Sequence, residues 1–151
     1  MKAEHVNPFL KSTVETFKTM VGLAATPGKP YLFESGSTDI SVVITITGDI
    51  HGTVAIAYPR GTALKISSKF LGEDINELNS SVNDCIGELS NIITGFAKKD
   101  LQSLRVSISL PKIMLDQSPT AYMPKGVPIM CIPFNSEIGS FVMEIGHDNV
   151  Q

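Results

Sequence analysis

The segment that most limits the fold is a pair of β-branched runs separated by a short glycine-bearing turn. It reads ISVVITITGDIHGTVAIAYP, and its two runs, residues 40–47 and 52–58, are rich in Val, Ile and Thr. Such runs are typical of strands, and the Gly48-Asp49 step between them indicates an antiparallel hairpin with a slightly longer loop. The fold therefore has to accommodate a sheet with antiparallel neighbours.

Helical periodicity appears on both sides of this hairpin. Apolar residues recur at helical spacing over residues 6–21, and Pro8 fits the first turn of that helix. A short helix is predicted over residues 62–71 and a longer one over residues 76–99. The apolar stripe predicted for the long helix consists of Leu78, Val82, Cys85, Leu89, Ile92, Ile93 and Phe96.

The remaining strand candidates complete the prediction of fold class. They are residues 31–34, 104–110, 127–134 and 140–145, with a loop predicted over residues 116–126. Pro128 and Pro133 mark the third of these strands as an edge or a bulge. The order of helix, strands, two helices and strands predicts an α+β layer fold with a largely antiparallel sheet. The two halves look roughly doubled, because a helix precedes strands in each.

The composition fits one folded domain, which we expect to span residues 1–151. A net charge of −3 without a basic cluster argues against nucleic acid as a partner. No apolar run approaches the roughly 18–20 residues that cross a bilayer, so we expect no membrane association. Cys85 and Cys131 fall on buried patterns and are expected to be free thiols, which together with the absence of a signal-peptide pattern predicts a cytoplasmic protein. The three histidines lack metal-ligand spacing, so no metal site is expected.

The long helix carries polar residues opposite its apolar stripe. On a helical wheel at about 100° per residue, Glu88 and Asn91 point away from the predicted core. Four further residues share that outer face: Asp84, Gly87, Gly95 and Lys98. Asn is a poor mid-helix residue, and each glycine costs about 1 kcal/mol relative to alanine. Two interpretations remain open: an ordinary solvated face, or a contact surface on which glycines allow close approach.

The chemistry of this pair is limited to binding and orientation. Residues at i and i+3 are neighbours on a helix surface. The Glu88 carboxylate accepts hydrogen bonds or pairs with a cation, and the Asn91 carboxamide both donates and accepts, which suits it to orient a water molecule. Neither group is an activated nucleophile. The pair makes most sense if the reactive centre belongs to another molecule.

The central part of the chain resembles the CheC/CheX/FliY chemotaxis phosphatase family, and CheX most closely. The resemblance rests on the hairpin turn with Gly48 and Gly52, on the TALK start of the short helix, and on IGELSNIITG at residues 86–95. It is strong over residues 44–99 and weaker in the C-terminal strands. It implies the CheC/CheX-like pseudo-doubled layer fold.

The same resemblance implies a protein phosphatase that acts on the phospho-aspartate of a CheY-like response-regulator receiver domain. In the family, the Glu pairs with the receiver's active-site lysine and the Asn holds the attacking water in line. Carried over, Glu88 is the docking residue and Asn91 the water-orienting residue. The candidate partner-binding residues around them are Asp84, Gly87, Gly95 and Lys98. No cofactor of its own is implied, since the receiver supplies the aspartate and a bound Mg²⁺.

Three points remain after the resemblance: the number of sites, the oligomeric state and the alternative function. CheC-like relatives often carry a second E-x-x-N on the first helix, where this chain has Glu15-Thr16-Phe17-Lys18, so one site is expected. A homodimer through sheet edges, as in some CheX-like members, is compatible with the sequence. The alternative function is a non-catalytic CheC/FliN-like binding module for a receiver or flagellar-switch protein, because one fold can serve both roles.

Overall fold

A computed structural model describes residues 3–147, so the first two and last four residues of the predicted domain lie outside the description. The helices are α1 (Ala3–Thr16), continued by a π-helical turn (Phe17–Val21), α2 (Arg60–Leu71) and α3 (Ser80–Asp100). A 3₁₀ turn covers Pro119–Tyr122. The strands are β1 (Thr26–Pro27), β2 (Tyr31–Leu32), β3 (Thr38–Gly48), β4 (Gly52–Tyr58), β5 (Val106–Ile108), β6 (Lys112–Gln117), β7 (Ile129–Ser136) and β8 (Gly139–His147).

The strands form one sheet in the order β1-β7-β8-β4-β3-β5, with β2 also paired to β7 and β6 also paired to β3. Every pairing between the described strands is antiparallel. The predicted hairpin lies at its centre as β3 and β4, with Ile40 opposite Tyr58 and Ile46 opposite Gly52. The α+β prediction with a largely antiparallel sheet is therefore confirmed.

The helices cover one face of this sheet and form the main core with it. Helix α3 packs against both α1 and α2. The rings of Phe17 and Phe134 each stack on Phe141, with centroids 4.9 and 5.0 Å apart. The opposite face carries a smaller apolar cluster, formed by Val43, Ala55, Met114 and Met123. Both cysteines are buried and free. Within residues 3–147, no helix combines the length and apolarity that crossing a bilayer requires.

The long helix begins later than the sequence pattern predicts. The side chain of Asn79 accepts a hydrogen bond from the Val82 backbone N at 3.1 Å, and this N-cap starts the helix at Ser80 rather than near residue 76. Leu78 of the predicted stripe lies before the helix. Phe96, also predicted to face the core, is 43% exposed, while its neighbour Ala97 is buried.

The sequence pattern also misses a strand. Within the predicted strand over residues 104–110 only β5 forms, and the unpredicted β6 follows it along the same partner, β3. The apolar residues of β6 are consecutive rather than alternating, and Leu115 is 44% exposed at the outside of the sheet. This strand lacks the period of two that identifies a half-buried strand.

Pro133 interrupts the backbone pairing on the outer side of β7, toward β1 and β2. The pairing on its inner side, toward β8, is not interrupted. It lies between the registers of β1 and β2, and its carbonyl accepts a hydrogen bond from the Gly28 N at 2.7 Å. The N–H and C=O of one strand residue point to the same side, so the donor that proline lacks is missing only from the outer pairing. β7 is thus second from the edge rather than an edge strand.

Candidate functional site

Helix α3 is anchored to the core along one face. Its buried residues are Val82, Cys85, Ile86, Leu89, Ser90, Ile93, Thr94 and Ala97. The Ser12 hydroxyl of α1 donates to the Ile93 carbonyl at 2.6 Å, which ties the two helices together. At about 100° per residue, the buried stripe is centred about 50° further round the helix than the predicted one. The packing therefore sets which residues face solvent.

Glu88 and Asn91 lie on the solvent face, exposed and one turn apart. Their Cβ atoms are about 5–6 Å apart at this helical spacing. Within the described part of the chain, neither side chain forms a hydrogen bond or an ion pair. The other predicted site residues are on the same helix: Asp84, Gly95 and Lys98 are exposed, and Gly87 is half-buried. The structure thus brings all six predicted residues together on one surface, which we call the α3 face.

The two glycines of the α3 face are not required by packing among residues 3–147. A Cβ built on Gly87 or Gly95 would meet no atom within 4 Å outside the local helix. Neither has a positive φ, unlike Gly48, where φ is +112° and a Cβ would lie 2.1 Å from the Arg105 carbonyl oxygen. Since glycine in a helix interior costs about 1 kcal/mol relative to alanine, packing within the described residues does not explain these two, and contact with a partner would.

The ring of Phe96, which the sequence pattern assigned to the core, borders the α3 face. Phe96 is 43% exposed, and the Lys99 Nζ lies 5.4 Å from its ring centroid. Ile92 beside it is half-buried. A partly exposed aromatic and a half-buried aliphatic next to polar groups are typical of the apolar part of a docking surface. Helical periodicity could not identify Phe96 as exposed, because Phe96 lies at the border of the buried stripe and is followed by the buried Ala97.

The groups beneath the α3 face do not supply a reactive centre. Burial raises the pKa of the Cys85 thiol, so the thiolate is disfavoured. Across residues 3–147, no cluster of three or more His, Cys, Asp or Glu side chains could hold a metal ion. The face offers a carboxylate and a carboxamide, which can bind and orient a reacting group, and neither is an activated nucleophile.

Comparisons with known proteins point to one family. The model of the family described as chemotaxis phosphatase CheX matches residues 40–135. The CheY-P phosphatase CheX of Thermotoga maritima is 32% identical over 119 residues, which are 76% of this chain and 77% of that protein. This alignment and the family match both include α3 with its polar pair.

Solved structures agree with this likeness. The chemotaxis protein CheX from Vibrio vulnificus is 33% identical with a TM-score of 0.85, over 97% of this chain and 100% of that one. A chain in the CheX–CheY–BeF₃–Mg²⁺ complex from Borrelia burgdorferi is 21% identical with a TM-score of 0.80, over 96% of this chain and 98% of that one. At this lower identity the likeness concerns the fold alone.

Proposed function

This chain belongs to the CheX family of chemotaxis phosphatases, and from that membership we propose that it hydrolyses the aspartyl phosphate of a CheY-like receiver domain. The observation that carries the proposal is the exposed pair of Glu88 and Asn91, which has no side-chain partner in the described chain. The relative from Thermotoga maritima is a CheY-P phosphatase, and the complex from Borrelia burgdorferi contains CheY. These relatives support a phosphorylated receiver as the substrate.

Glu88 is proposed to set the register of docking. Its carboxylate is exposed and has no partner among residues 3–147, so it can pair with the lysine of a receiver active site. A charge pair across an interface fixes orientation and speeds encounter more than it adds affinity. Because the buried stripe and the Ser12 hydrogen bond fix the rotation of α3, pairing at Glu88 also fixes where the next turn lies.

Asn91 is proposed to orient the attacking water. It lies one turn beyond Glu88, with its Cβ about 5–6 Å from that of Glu88, so a receiver docked at Glu88 can present its phosphoryl group to Asn91. The carboxamide can accept a hydrogen bond from the water and donate one to an oxygen beside it. Phosphoryl transfer demands alignment and charge stabilisation rather than covalent chemistry from the protein. Holding the water in line removes the entropy loss of finding that position.

The rest of the α3 face is proposed to admit the receiver. Gly87 and Gly95 lie on either side of the pair and leave room for a partner's backbone. Asp84 and Lys98 are exposed charges at the two ends of the surface. The Mg²⁺ of this reaction is assigned to the receiver, and the complex from Borrelia burgdorferi, which contains both Mg²⁺ and CheY, supports this assignment. Its chemistry is to neutralise charge on the phosphoryl group.

The test follows phosphate loss from a phosphorylated receiver in the presence of Mg²⁺. Asn91→Ala is expected to slow the accelerated loss by about 10²–10³, or roughly 3–4 kcal/mol, while the receiver still binds. Glu88→Ala is expected to weaken productive docking. Asn76→Ala and Glu77→Ala serve as matched controls, since both residues are exposed but lie in the loop before α3.

The outcomes separate the enzyme from a binding module. If Asn91→Ala is as fast as the parent, the role assigned to Asn91 is wrong. If the parent protein binds the phosphorylated receiver and leaves the lifetime of its phosphate unchanged, the chain is a CheC/FliN-like binding module instead. A screen across the receiver domains of the host identifies the substrate.

A further inference from the structure

The face of the sheet that points away from the helices contains a cavity of about 870 Å³. Its floor is formed by alternate residues of three neighbouring strands, and its wall by the segment that joins β2 to β3. The floor residues alternate along their strands with members of the main core, such as Met143 and Ile132. The cavity therefore lies across the sheet from the α3 face and shares no residue with it.

Glu144 is the residue of this floor that needs explanation. It is only 3% exposed, and its Oε2 atom receives no hydrogen bond from residues 3–147. Its cross-strand neighbours are Cys131 on β7 and Ala55 on β4, neither of which offers a strong donor. Loss of hydration raises the pKa of the carboxyl to about 7. A buried carboxylate without a donor is destabilising, so a donor that enters through the cavity would be favoured.

The charged residues that line the cavity all have the same sign. Glu34 and Asp39 line it together with Glu144, and no Lys, Arg or His among residues 3–147 lines it. The Asp39 Oδ2 accepts a hydrogen bond from the Arg60 backbone N at 2.7 Å, so Asp39 is partly committed to the start of α2. Three carboxylates around one concave surface raise the local concentration of cations and repel anions.

The uncharged part of the cavity suits a carbon chain. Ala57 and Val142 lie beside Glu144 on the floor. The Tyr31 ring lines the cavity and is half exposed, and Tyr31 lies opposite Cys131 in the pairing of β2 with β7. An aromatic face near carboxylates is a favourable environment for an organic cation. The volume also falls in the range of about 300–1,000 Å³ that is usual for small-molecule sites.

We propose that this cavity binds a small organic cation, a primary ammonium or guanidinium on an aliphatic chain. The charged head donates hydrogen bonds to the Glu144 carboxylate, and the carbon chain packs on Ala57 and Val142. A bare metal ion fits less well, because no cluster of three metal-ligating side chains exists among the described residues. The site is independent of the phosphatase chemistry on the opposite face.

The experiment titrates the ¹⁵N-labelled protein with hexylammonium and follows amide resonances at pH 8 in an amine-free buffer. Saturable shifts are expected to be concentrated in β7, β8 and the segment between β2 and β3. Hexanol and hexanoate, which have the same chain without the positive charge, are expected to bind at least tenfold more weakly. Glu144→Gln is expected to weaken hexylammonium binding at least tenfold, while dephosphorylation of the receiver is unchanged.

Two further variants keep the result interpretable. Glu137→Gln removes an exposed carboxylate outside the cavity and should bind hexylammonium like the parent. Val142→Phe keeps every charge and fills the floor, so it should weaken binding while the Glu144 carboxylate is retained. The proposal is overturned if hexanol binds as tightly as hexylammonium, or if Glu144→Gln binds like the parent. It is also overturned if sedimentation shows that a second copy of the chain closes this face and that Glu144→Gln changes only that association.

Discussion

The two sides of the sheet hold unpaired polar groups in opposite environments. On the α3 face, Glu88 and Asn91 are exposed, and water satisfies them. On the other side, Glu144 is buried without a donor among the described residues, and its hydration is lost. An unpaired exposed group has little effect on the free energy of unfolding, so it is recognised only through the sequence pattern around it. An unpaired buried group affects stability directly, whatever it does for function.

The largest effect that this comparison predicts is on the pH dependence of stability. The pKa of Glu144 is about 7 in the folded protein, against an ordinary value of 4.5. Below about pH 4.5 the carboxyl is neutral in both folded and unfolded chains, so it costs nothing. Between pH 4.5 and pH 7 the Glu144 carboxyl is more protonated in the folded than in the unfolded chain. The free energy of unfolding therefore falls as the pH rises. Above pH 7 the loss is complete, at up to about 3 kcal/mol.

Glu144→Gln removes this ionisation. Relative to the parent, the variant should gain up to about 3 kcal/mol in free energy of unfolding between pH 5 and pH 8, measured by urea denaturation in an amine-free buffer. Using the difference between two pH values cancels any constant effect of the amide. The buried, uncompensated state assigned to Glu144 is wrong if the stability gap is the same at both pH values.

The α3 face could be predicted because its determinants are local. Helical periodicity over one segment defines an inner and an outer side, and the six site residues lie within 15 positions of one another. The rotation of the helix about its axis could be predicted less accurately. Ser12 and the rest of α1 turn the stripe toward Ala97 and leave Phe96 exposed, and these contacts join residues about 80 positions apart.

The Glu144 cavity could not be predicted from the sequence in the same way. In the alternation of β8, Glu144 falls between the core residues Met143 and Ile145, on the side that would normally face solvent. Its burial depends on residues outside its own strand. These are Cys131 on β7, which lies opposite Glu144, and the segment between β2 and β3. Local patterns specify which side of a strand a residue takes, but not what covers that side.

Glycine substitutions should separate stability from activity on the α3 face. Gly95→Ala is expected to raise the free energy of unfolding by about 1 kcal/mol, because the added Cβ meets no neighbour. If a receiver backbone occupies that space, the same methyl group should slow dephosphorylation roughly tenfold through overpacking. Denaturation and phosphate release measured on one preparation test both effects.

Gly61→Ala provides the matched control for this substitution. Gly61 is also exposed in a helix, α2, and its added Cβ would likewise meet nothing within 4 Å. It should stabilise the protein or leave its stability unchanged, and it should keep full activity. If Gly95→Ala also keeps full activity, the close approach of a partner at Gly95 is refuted.

The smallest effect on stability is expected for Glu88→Gln, which preserves the shape of the side chain and removes its charge. Because Glu88 is exposed and unpaired, the free energy of unfolding should change by less than about 0.5 kcal/mol. The apparent KM for the phosphorylated receiver should nevertheless rise severalfold, with kcat little changed, if the carboxylate only sets the docking register.

The dependence on salt distinguishes a docking charge from a general loss of contact. For the parent, the KM should rise with ionic strength, since added salt screens the pairing of Glu88 with a lysine. For Glu88→Gln that dependence should be weaker, whereas Glu77→Gln, which alters an exposed charge before α3, should retain the parent's dependence. Equal salt dependence in all three proteins would mean that the carboxylate on α3 does not meet a cation. The exposed carboxylate of the α3 face would then have no role in docking, and the comparison of the two faces would concern stability alone.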